Sequence, residues 1–361
     1  MKRKKAALYD PFLDIMGGGE KHILSILKTL EEKGFEIHIF WNNDVEKSIK
    51  NILNINFSNQ ITYHKNIFIT KQPFINKYRS LKPFDIFFYV TNGSYFFSSS
   101  KKNYIFSMVP DKKLYTMGIL NKVKTYNYEF ISNSYFTKNC LKKWKIHSNV
   151  LYPYIDKEYL SLRKDIQKEK YILSVGRFFK HLHSKRQDIA IKIFKELKKS
   201  PQFKDFKLIL AGGLKDEDKG YFYKLQKLAD NDHSIIFQTN ISHNKIFELY
   251  IQSQFYWHLA GYEVNEEESP EFTEHLGISP VEAMACQCIT FCYKAGGPKE
   301  IIQDEENGFL FKNQDELLNK MNMAYNNQQL QNKIKSNARE YVNENFSYKV
   351  FKENVIDILK L

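Results

Sequence analysis

Apolar and polar residues alternate along the chain in two patterns, one typical of strands and one typical of helices. The chain opens with a short apolar run at 6–9, continues with a helical period from Glu20 to Gly34, and returns to a strand pattern at 35–40. This order predicts the βαβ unit of a parallel sheet. Further strands in this part are predicted at 85–90, 103–109 and 129–134.

The alternation starts again after a polar stretch at 151–170, which contains Pro153 and has no long apolar period. We therefore predict a linker there. Beyond it, strands are predicted at 171–176, 206–213, 234–239, 255–261 and 288–293. Helices are predicted at 186–200, 220–231, 243–253 and 315–342.

Two successive runs of strands and helices predict an α/β fold with two doubly wound, Rossmann-like domains. A length of 361 residues also favours two hydrophobic cores over one. We place the domains at 1–155 and 165–342, and expect a C-terminal helix at about 345–361 to pack back on the first. Ligands bind beyond the carboxyl ends of such strands, so we expect the two domains to face a central cleft.

The composition is typical of a folded protein, with 43% hydrophobic and 26% charged residues. No window has the ~18 uninterrupted apolar residues of a spanning helix, and the basic start lacks the apolar core of a secretory signal. Three of the four cysteines lie at 286–292 without CxxC spacing. Small buried residues in a reducing compartment are therefore favoured over a disulfide framework or a metal site.

The net charge of +13 is concentrated in the first part of the chain. Residues 1–155 hold 24 Lys and Arg against 11 Asp and Glu, whereas residues 156–361 hold 30 of each. A basic half predicts an anionic partner, which is a lipid headgroup, a nucleic acid or a phosphorylated acceptor. Nucleic acid is disfavoured because the lysines are scattered among apolar residues without a recognisable module.

Two loops carry residues suited to a phosphorylated ligand. Gly17–Gly19 stand at the predicted start of the first helix, where free N–H groups can meet an anion. Arg177 follows the first strand of the second half, and Lys185 precedes the next helix; such cations can balance a diphosphate. Lys180 and Arg186 fit a solvated loop, although Lys180 stays an alternative to Lys185. No carboxylate cluster stands directly at a predicted strand end, where it would predict a magnesium site; the acidic triplet DED at 216–218 begins three residues beyond the strand predicted at 206–213.

Two glutamates, Glu274 and Glu282, stand on either side of a change from loop to helix in TEHLGISPVEAMA. Ser279 and Glu282 have the S-x-x-E spacing of a capping box with Pro280 as the first helical residue, so one interpretation of Glu282 is a helix cap. Glu274 lies in the preceding loop, where a carboxylate can accept hydrogen bonds from sugar hydroxyls. Gly277 lies at the helix start, where phosphates can meet the helix dipole.

The pair Glu274 and Glu282 resembles the E-x7-E motif of retaining glycosyltransferases of family 4, which have the GT-B fold. Further segments resemble this family in the same order: GGGE at 17–20, ISNS at 131–134, YPYID at 152–156, VGRFF to KRQD at 175–188, AGG at 211–213 and AGGPKEIIQDEENGFL at 295–310. The resemblance covers most of the chain, more firmly from 171 to 310.

The resemblance implies that Arg177 and Lys185 bind the diphosphate of a nucleotide-diphosphate sugar, a UDP-sugar or a GDP-sugar. It implies that Glu282 holds the ribose hydroxyls and Glu274 those of the transferred sugar, which makes both candidate catalytic residues. The implied reaction is transfer to an acceptor hydroxyl with retention of configuration, without a metal or another cofactor. Residues implied to line the donor site are Gly18, Gly19, Gly277, Ile278, Ser279, Asn240 and Ile241.

Two features depart from the family pattern. Met108 and Val109 precede Pro110 where many relatives have a histidine, so a catalytically weak or inactive sugar-nucleotide-binding protein is the alternative function. A nucleic-acid-binding protein is the less favoured alternative. The second departure is the longer spacing between Arg177 and Lys185, with FFKHLHS between them, which leaves Lys180 as the alternative to Lys185. The acidic run at 263–274 also has the character of an insertion, and we expect its glutamates before Glu274 to be solvated.

The basic first half predicts an acceptor at an anionic membrane, namely a lipid-linked glycan or a surface-polysaccharide precursor. We expect peripheral attachment at the cytoplasmic face of the membrane, and no nucleic-acid partner. The predicted contacts with the membrane are Lys2, Arg3, Lys4, Lys5, Lys112, Lys113, Lys122, Lys124, Lys142, Lys143 and Lys145.

Overall fold

The computed structural model describes residues 3–69, 73–162, 167–182 and 184–361. Lys2 and part of the predicted linker, residues 163–166, lie outside the described residues. The chain divides into two compact units. The first unit extends to Pro153 and includes Phe351–Leu361, and the second unit is Tyr154–Val350.

The first unit contains a parallel sheet of seven strands, which are β1 (Lys5–Tyr9), β2 (Glu36–Phe40), β3 (Thr62–His64), β4 (Ile86–Val90), β5 (Lys102–Ser107), β6 (Tyr128–Ser132) and β7 (Ser148–Val150). The order across the sheet is β3-β2-β1-β4-β5-β6-β7. Its helices are α1 (Gly18–Glu32), α2 (Glu46–Leu53), α3 (Phe74–Leu81), α4 (Ile119–Lys124) and α5 (Tyr135–Lys143).

The second unit contains a parallel sheet of six strands, which are β8 (Glu169–Val175), β9 (Lys207–Gly212), β10 (Ile235–Thr239), β11 (Ser253–His258), β12 (Ile289–Tyr293) and β13 (Phe309–Phe311). The order across the sheet is β10-β9-β8-β11-β12-β13. The remaining helices of the chain are α6 (Lys157–Leu160), α7 (Gln187–Leu197), α8 (Lys219–Ala229), α9 (His243–Gln252), α10 (Ile278–Ala285), α11 (Pro298–Ile301), α12 (Gln314–Asn326), α13 (Gln328–Phe346) and α14 (Tyr348–Leu359).

Both sheets confirm the predicted fold class of two doubly wound, Rossmann-like domains. In each sheet the strand order reverses beside the first strand, at β1/β4 and at β8/β11. Ligands of such folds bind outside the carboxyl ends of the strands at this reversal. A ligand site is therefore expected at the residues that follow β1, β8 and β11.

The predicted strands and long helices are present within a few residues of their predicted ends. The predicted helical stretch at 315–342 is two helices, α12 and α13, because the Asn327 side chain accepts a hydrogen bond from Leu330 N at 3.0 Å and caps the second one. The sequence patterns missed β3, β7 and β13, each three residues long, and the short helices α2–α6 and α11. Elements of this length contain too few periods to be recognised.

The last helix packs on the first unit. Lys352 Nζ lies 2.6 Å from Glu32 Oε2 of α1, and Lys102 Nζ donates a hydrogen bond to Leu359 O at 2.6 Å. The ring of Phe351 lies 5.8 Å from that of His22, whose pKa is lowered to about 3 by burial. None of the described helices combines the length and the apolar character needed to cross a bilayer.

Candidate active site

The turn after β8 brings a lysine back across a glycine. A Cβ added to Gly176 would lie 2.3 Å from Lys185 Cγ, so a side chain at this position would collide with the lysine stem. The adjoining β9 approaches as closely, because a Cβ at Gly212 would lie 2.0 Å from Gly176 O. This packing holds the aliphatic part of Lys185 against the carboxyl end of β8, which pairs with β9.

Lys185 forms an ion pair with Glu274, and both side chains are nearly buried, with 13% and 11% of their surface exposed. His258, the last residue of β11, places its Nε2 2.9 Å from Glu274 Oε2. Burial lowers the pKa of His258, the carboxylate of Glu274 opposes this effect, and Lys185 adds to it. A lysine, a carboxylate and an imidazole thus meet in the second unit where its strand order reverses.

The backbone of Glu274 is held by the glycines of the segment after β12. Gly297 N donates a hydrogen bond to Glu274 O at 2.7 Å. Gly296 has a left-handed φ of 67°, and a Cβ there would lie 2.1 Å from Glu274 O. The AGGP sequence at 295–298 therefore permits a close backbone approach that fixes the position of the Glu274 loop.

Glu282 lies on α10, but it does not cap that helix. The helix begins at Ile278 and its N-cap is Gly277, with a left-handed φ of 102°, so the predicted capping box of Ser279 and Glu282 is wrong. Pro280 is the third helical residue, where its missing N–H costs nothing because that position has no intrahelical acceptor. Ser279 is the second residue of the helix and therefore lies inside the first turn.

The Glu282 carboxylate instead accepts a hydrogen bond from Tyr250 Oη at 2.9 Å. Tyr250 is completely buried on α9, and burial together with the neighbouring Glu282 raises its pKa well above the ordinary value. One oxygen of Glu282 is thereby oriented by a buried phenol. Neither Tyr250 nor His258 was predicted from the sequence; the signal for His258 is a histidine at the end of an apolar strand.

The two other cations of the β8–α7 loop have different environments. Arg177 is exposed, and its Cζ lies 4.5 Å from the ring centre of Phe179. Lys180 is also exposed and lines a cavity of about 530 Å³ together with Arg186 and Glu268. Lys185 rather than Lys180 is therefore the lysine beside Glu274.

Arg186 is not the solvated residue that the sequence predicted. It is partly buried at the start of α7, and its Nη1 donates a hydrogen bond to Tyr262 O at 2.6 Å. The acidic insertion is likewise only partly solvated. Glu266 accepts a hydrogen bond from Gly296 N at 2.7 Å and forms an ion pair with Lys299. Because Gly296 contacts the backbone of Glu274, the acidic insertion also supports the loop that contains Glu274.

Asn240 ties two loops of the second unit together. It has a left-handed φ of 53°, its Oδ1 accepts a hydrogen bond from Leu214 N at 2.8 Å, and its Nδ2 donates one to Leu214 O at 3.0 Å. The side chain amide is therefore engaged with backbone. Ile241 follows directly and is partly buried.

The glycine-rich turn of the first unit lies at the start of α1, as predicted. Gly17 is the N-cap, and its N–H donates a hydrogen bond to Glu20 Oε2 at 2.7 Å. A Cβ at Gly18 would meet open space, whereas one at Gly19 would lie 2.6 Å from Met108 Sδ. Met108, which stands where the sequence resemblance implies a histidine, therefore packs directly on Gly19.

One group of described side chains has the composition of a metal site. Ligand atoms of Asp156, Glu158 and His243 lie within 4.8 Å of one another. Ion pairs also account for this cluster, since His243 Nδ1 lies 3.3 Å from Glu158 Oε1 and its Nε2 lies 3.8 Å from Asp156 Oδ2. The four cysteines are free and buried, as the sequence predicted.

Comparisons with known proteins identify the family of this chain. The sequence profile of the family described as "Glycosyl transferases group 1" matches residues 160–341. The chain is 26% identical over 275 residues to the alpha-1,3/1,6-mannosyltransferase ALG2 of Dictyostelium discoideum, which covers 68% of this chain and 62% of that protein. It is 26% identical over 193 residues to a GDP-Man:Man(3)GlcNAc(2)-PP-Dol alpha-1,2-mannosyltransferase of Xenopus laevis, over 50% of this chain and 37% of that protein.

The chain thus spans less than two thirds of the length of these relatives. Its fold is similar to the crystal structure of a glycosyltransferase from Rickettsia africae, with a TM-score of 0.75, 18% identity and complete coverage of both chains. Similarity at this level of identity shows a shared fold. The family profile covers half of the chain, and the chain therefore belongs to the glycosyl transferases group 1 family.

Proposed function

We propose that this protein is a retaining glycosyltransferase that moves a sugar from a nucleotide-diphosphate sugar to an acceptor hydroxyl without a metal ion. The observation that carries the proposal is the nearly buried ion pair of Lys185 and Glu274 beside His258. Desolvation makes such a pair a weak source of stability, so its presence is better explained by a ligand that uses both charges.

In this proposal Lys185 and Arg177 bind the donor's diphosphate. The approaching phosphates compete with Glu274 for Lys185, and the released carboxylate accepts hydrogen bonds from the transferred sugar. Glu282, oriented by Tyr250, accepts hydrogen bonds from the two ribose hydroxyls. Backbone N–H groups at Gly277, Ile278 and Ser279 face the donor, because the first turn of α10 leaves them without intrahelical acceptors.

Gly18 and Gly19 stand in the first turn of α1, where their backbone N–H groups are proposed to bind phosphate of the donor. The base of the nucleotide is assigned to the neighbourhood of Asn240 and Ile241. Because the Asn240 amide already pairs with Leu214, we expect its contact with the base to come from the loop backbone that it holds.

The transfer step requires two bond changes at the anomeric carbon. Its bond to the diphosphate oxygen breaks, and a bond to the acceptor oxygen forms on the same face of the sugar. The proton of the acceptor hydroxyl passes to the leaving diphosphate oxygen. Lys185 and Arg177 stabilise the negative charge that develops on that diphosphate, which is the task otherwise given to a divalent cation.

We further propose that the acceptor is a lipid-linked glycan or a surface-polysaccharide precursor at the cytoplasmic face of a membrane. The charge of +13 within residues 1–155 supports an anionic surface as partner and does not require nucleic acid. The name of the Xenopus laevis relative includes a PP-Dol acceptor, which supports the same class of acceptor. Among the predicted contacts, Arg3, Lys4, Lys112, Lys113, Lys122, Lys142, Lys143 and Lys145 are exposed.

A sugar-nucleotide-binding protein with little activity is the second candidate. It is favoured by Met108, which occupies the space beside Gly19 where many relatives have a histidine. Donor binding is common to both candidates, whereas release of free nucleoside diphosphate in the presence of acceptor is specific to the enzyme.

The test is a thermal-unfolding series with UDP- and GDP-sugars, followed by measurement of nucleoside diphosphate release. A donor at about 100 times its dissociation constant adds about 2.7 kcal/mol, which corresponds to a shift of roughly 5–10 °C for a unit of this size. The Glu282→Ala variant is the control and should lose this shift. Equal shifts for Glu282→Ala and wild type, or no shift with any donor, would refute the proposed donor site.

A further inference from the structure

Helix α4 has no buried side chain, although half of its residues are large and apolar. Ile119, Leu120 and Val123 are 85%, 63% and 51% exposed, and Tyr126 just beyond the helix is 77% exposed. Single exposed apolar residues are ordinary, but a cluster on one short element indicates an interaction site.

A second apolar element adjoins it. Phe74 and Tyr78 of α3 are exposed, and Tyr78 O accepts a hydrogen bond from Ser99 Oγ. Asn127 is the residue after Tyr126. Its Nδ2 donates a hydrogen bond at 3.0 Å to the carbonyl oxygen of Ser98, which precedes Ser99. The segment before β5 therefore connects α3 to the end of α4, and the two elements are neighbours on the first unit.

The two sequence segments that contain these side chains carry charges of one sign, and the nearest acidic residues in the sequence, Asp85, Asp111 and Glu129, lie just outside them. The segment 112–128, which contains α4, has four lysines and no acidic residue. The segment 73–84, which contains α3, has three basic residues and no acidic residue. Apolar side chains surrounded by lysine and arginine are typical of an element that lies in the plane of an anionic membrane surface.

We propose that α3 and α4 form a membrane-docking surface that inserts apolar side chains into an anionic bilayer. Ile119, Leu120 and Phe74 enter the boundary between headgroups and acyl chains, and Tyr126 lies at headgroup level. Lys122 and Lys124 contact lipid phosphates. The inference rests on the proposed lipid-linked acceptor and assigns the membrane contact to a particular surface. General attraction by all lysines of the first unit would not require insertion.

The experiment is sedimentation of the full chain with vesicles of phosphatidylcholine alone or with 30% phosphatidylserine. The test variant is Ile119→Ser with Leu120→Ser, which keeps every charge. The matched control is Ile52→Ser, which changes a 56% exposed apolar residue of α2 in the same unit. We expect the partition coefficient on anionic vesicles to fall about tenfold or more for the double variant and to stay within twofold for the control.

A second variant, Lys122→Glu with Lys124→Glu, should also lose about tenfold or more on anionic vesicles. Undiminished binding of the Ile119→Ser, Leu120→Ser protein would overturn the proposal. A dimer in size-exclusion chromatography that is lost in this variant, without vesicle binding by wild type, would also overturn it and assign the surface to a second copy of the chain. Donor-induced thermal shifts are measured in parallel, because they test the proposed function and should be the same in all these variants.

Discussion

Removing the charge of Lys185 while keeping its stem tests the nearly buried cluster of the second unit. The Lys185→Met substitution preserves the apolar chain that crosses Gly176 and removes the ammonium that pairs with Glu274. The Glu274 carboxylate then keeps His258 at 2.9 Å as its basic neighbour. We expect the variant to fold and to be less stable than wild type.

The exposure of the pair determines the magnitude of this loss. Breaking a fully buried ion pair costs about 3–5 kcal/mol, whereas an exposed pair contributes ~0–1 kcal/mol. The two side chains are 13% and 11% exposed, close to the buried limit. We therefore expect the free energy of unfolding to fall by about 3 kcal/mol at pH 8.

The loss should depend on pH because His258 can replace the missing cation. In wild type the pKa of His258 is lowered by burial and by Lys185, so protonation favours the unfolded state and stability falls as the pH drops below about 6.5. In Lys185→Met the effect of Lys185 is absent and the pKa of His258 rises. Protonated His258 then pairs with Glu274, and the difference in stability from wild type should become smaller between pH 8 and pH 6.

The assay is urea unfolding in a Trp41→Phe, Trp144→Phe background, in which the completely buried Trp257 reports on the second unit. Lys180→Met is the matched control, since Lys180 is an exposed lysine of the same loop, and it should change stability by less than ~0.5 kcal/mol. A loss below ~0.5 kcal/mol for Lys185→Met at pH 8, or a difference that grows toward pH 6, would refute the reasoning.

Arg177→Ala should abolish release of nucleoside diphosphate and change the urea midpoint little, because its side chain is exposed; retained turnover would contradict its role. Glu282→Gln keeps an acceptor for the Tyr250 hydroxyl but loses the negative charge, so we expect sugar transfer to be at least ~100-fold slower. Full turnover by this variant would show that the charge of Glu282 has no role in the reaction. Activity should survive EDTA, whereas loss restored by Mn²⁺ or Mg²⁺ would contradict metal independence. Burial raises the pKa of Asp10 to about 8, so the free energy of unfolding of wild type decreases as the pH rises toward 8. Asp10→Asn has no such carboxyl group. Measured by urea unfolding, its free energy of unfolding relative to wild type should increase on the order of 2 kcal/mol between pH 6 and pH 9.

Much of the fold was predictable because strands and long helices are marked by local periodicity. The alternation of these elements predicted two parallel sheets, and the Gly17–Gly19 turn was predicted at a helix start. The start of α10 was not predictable in the same way. The S-x-x-E spacing favoured a cap at Ser279, but the left-handed Gly277 begins the helix earlier. That conformation belongs to a loop held through the backbone of Glu274 by glycines that follow in the chain.

The sequence by itself determined the fold class, the spacing of Glu274 and Glu282, and the concentration of positive charge in the first part of the chain. Each of these depends on residue types and their order along the chain, and none depends on which distant residues meet in the fold. Only the tertiary structure decided that Lys185 rather than Lys180 meets Glu274, that His258 lies beside Glu274, and that Tyr250 donates a hydrogen bond to Glu282. These contacts join residues of different strands and helices. Parallel strands place their carboxyl ends at one edge of a sheet, and residues far apart in the chain meet there only after the sheet has formed.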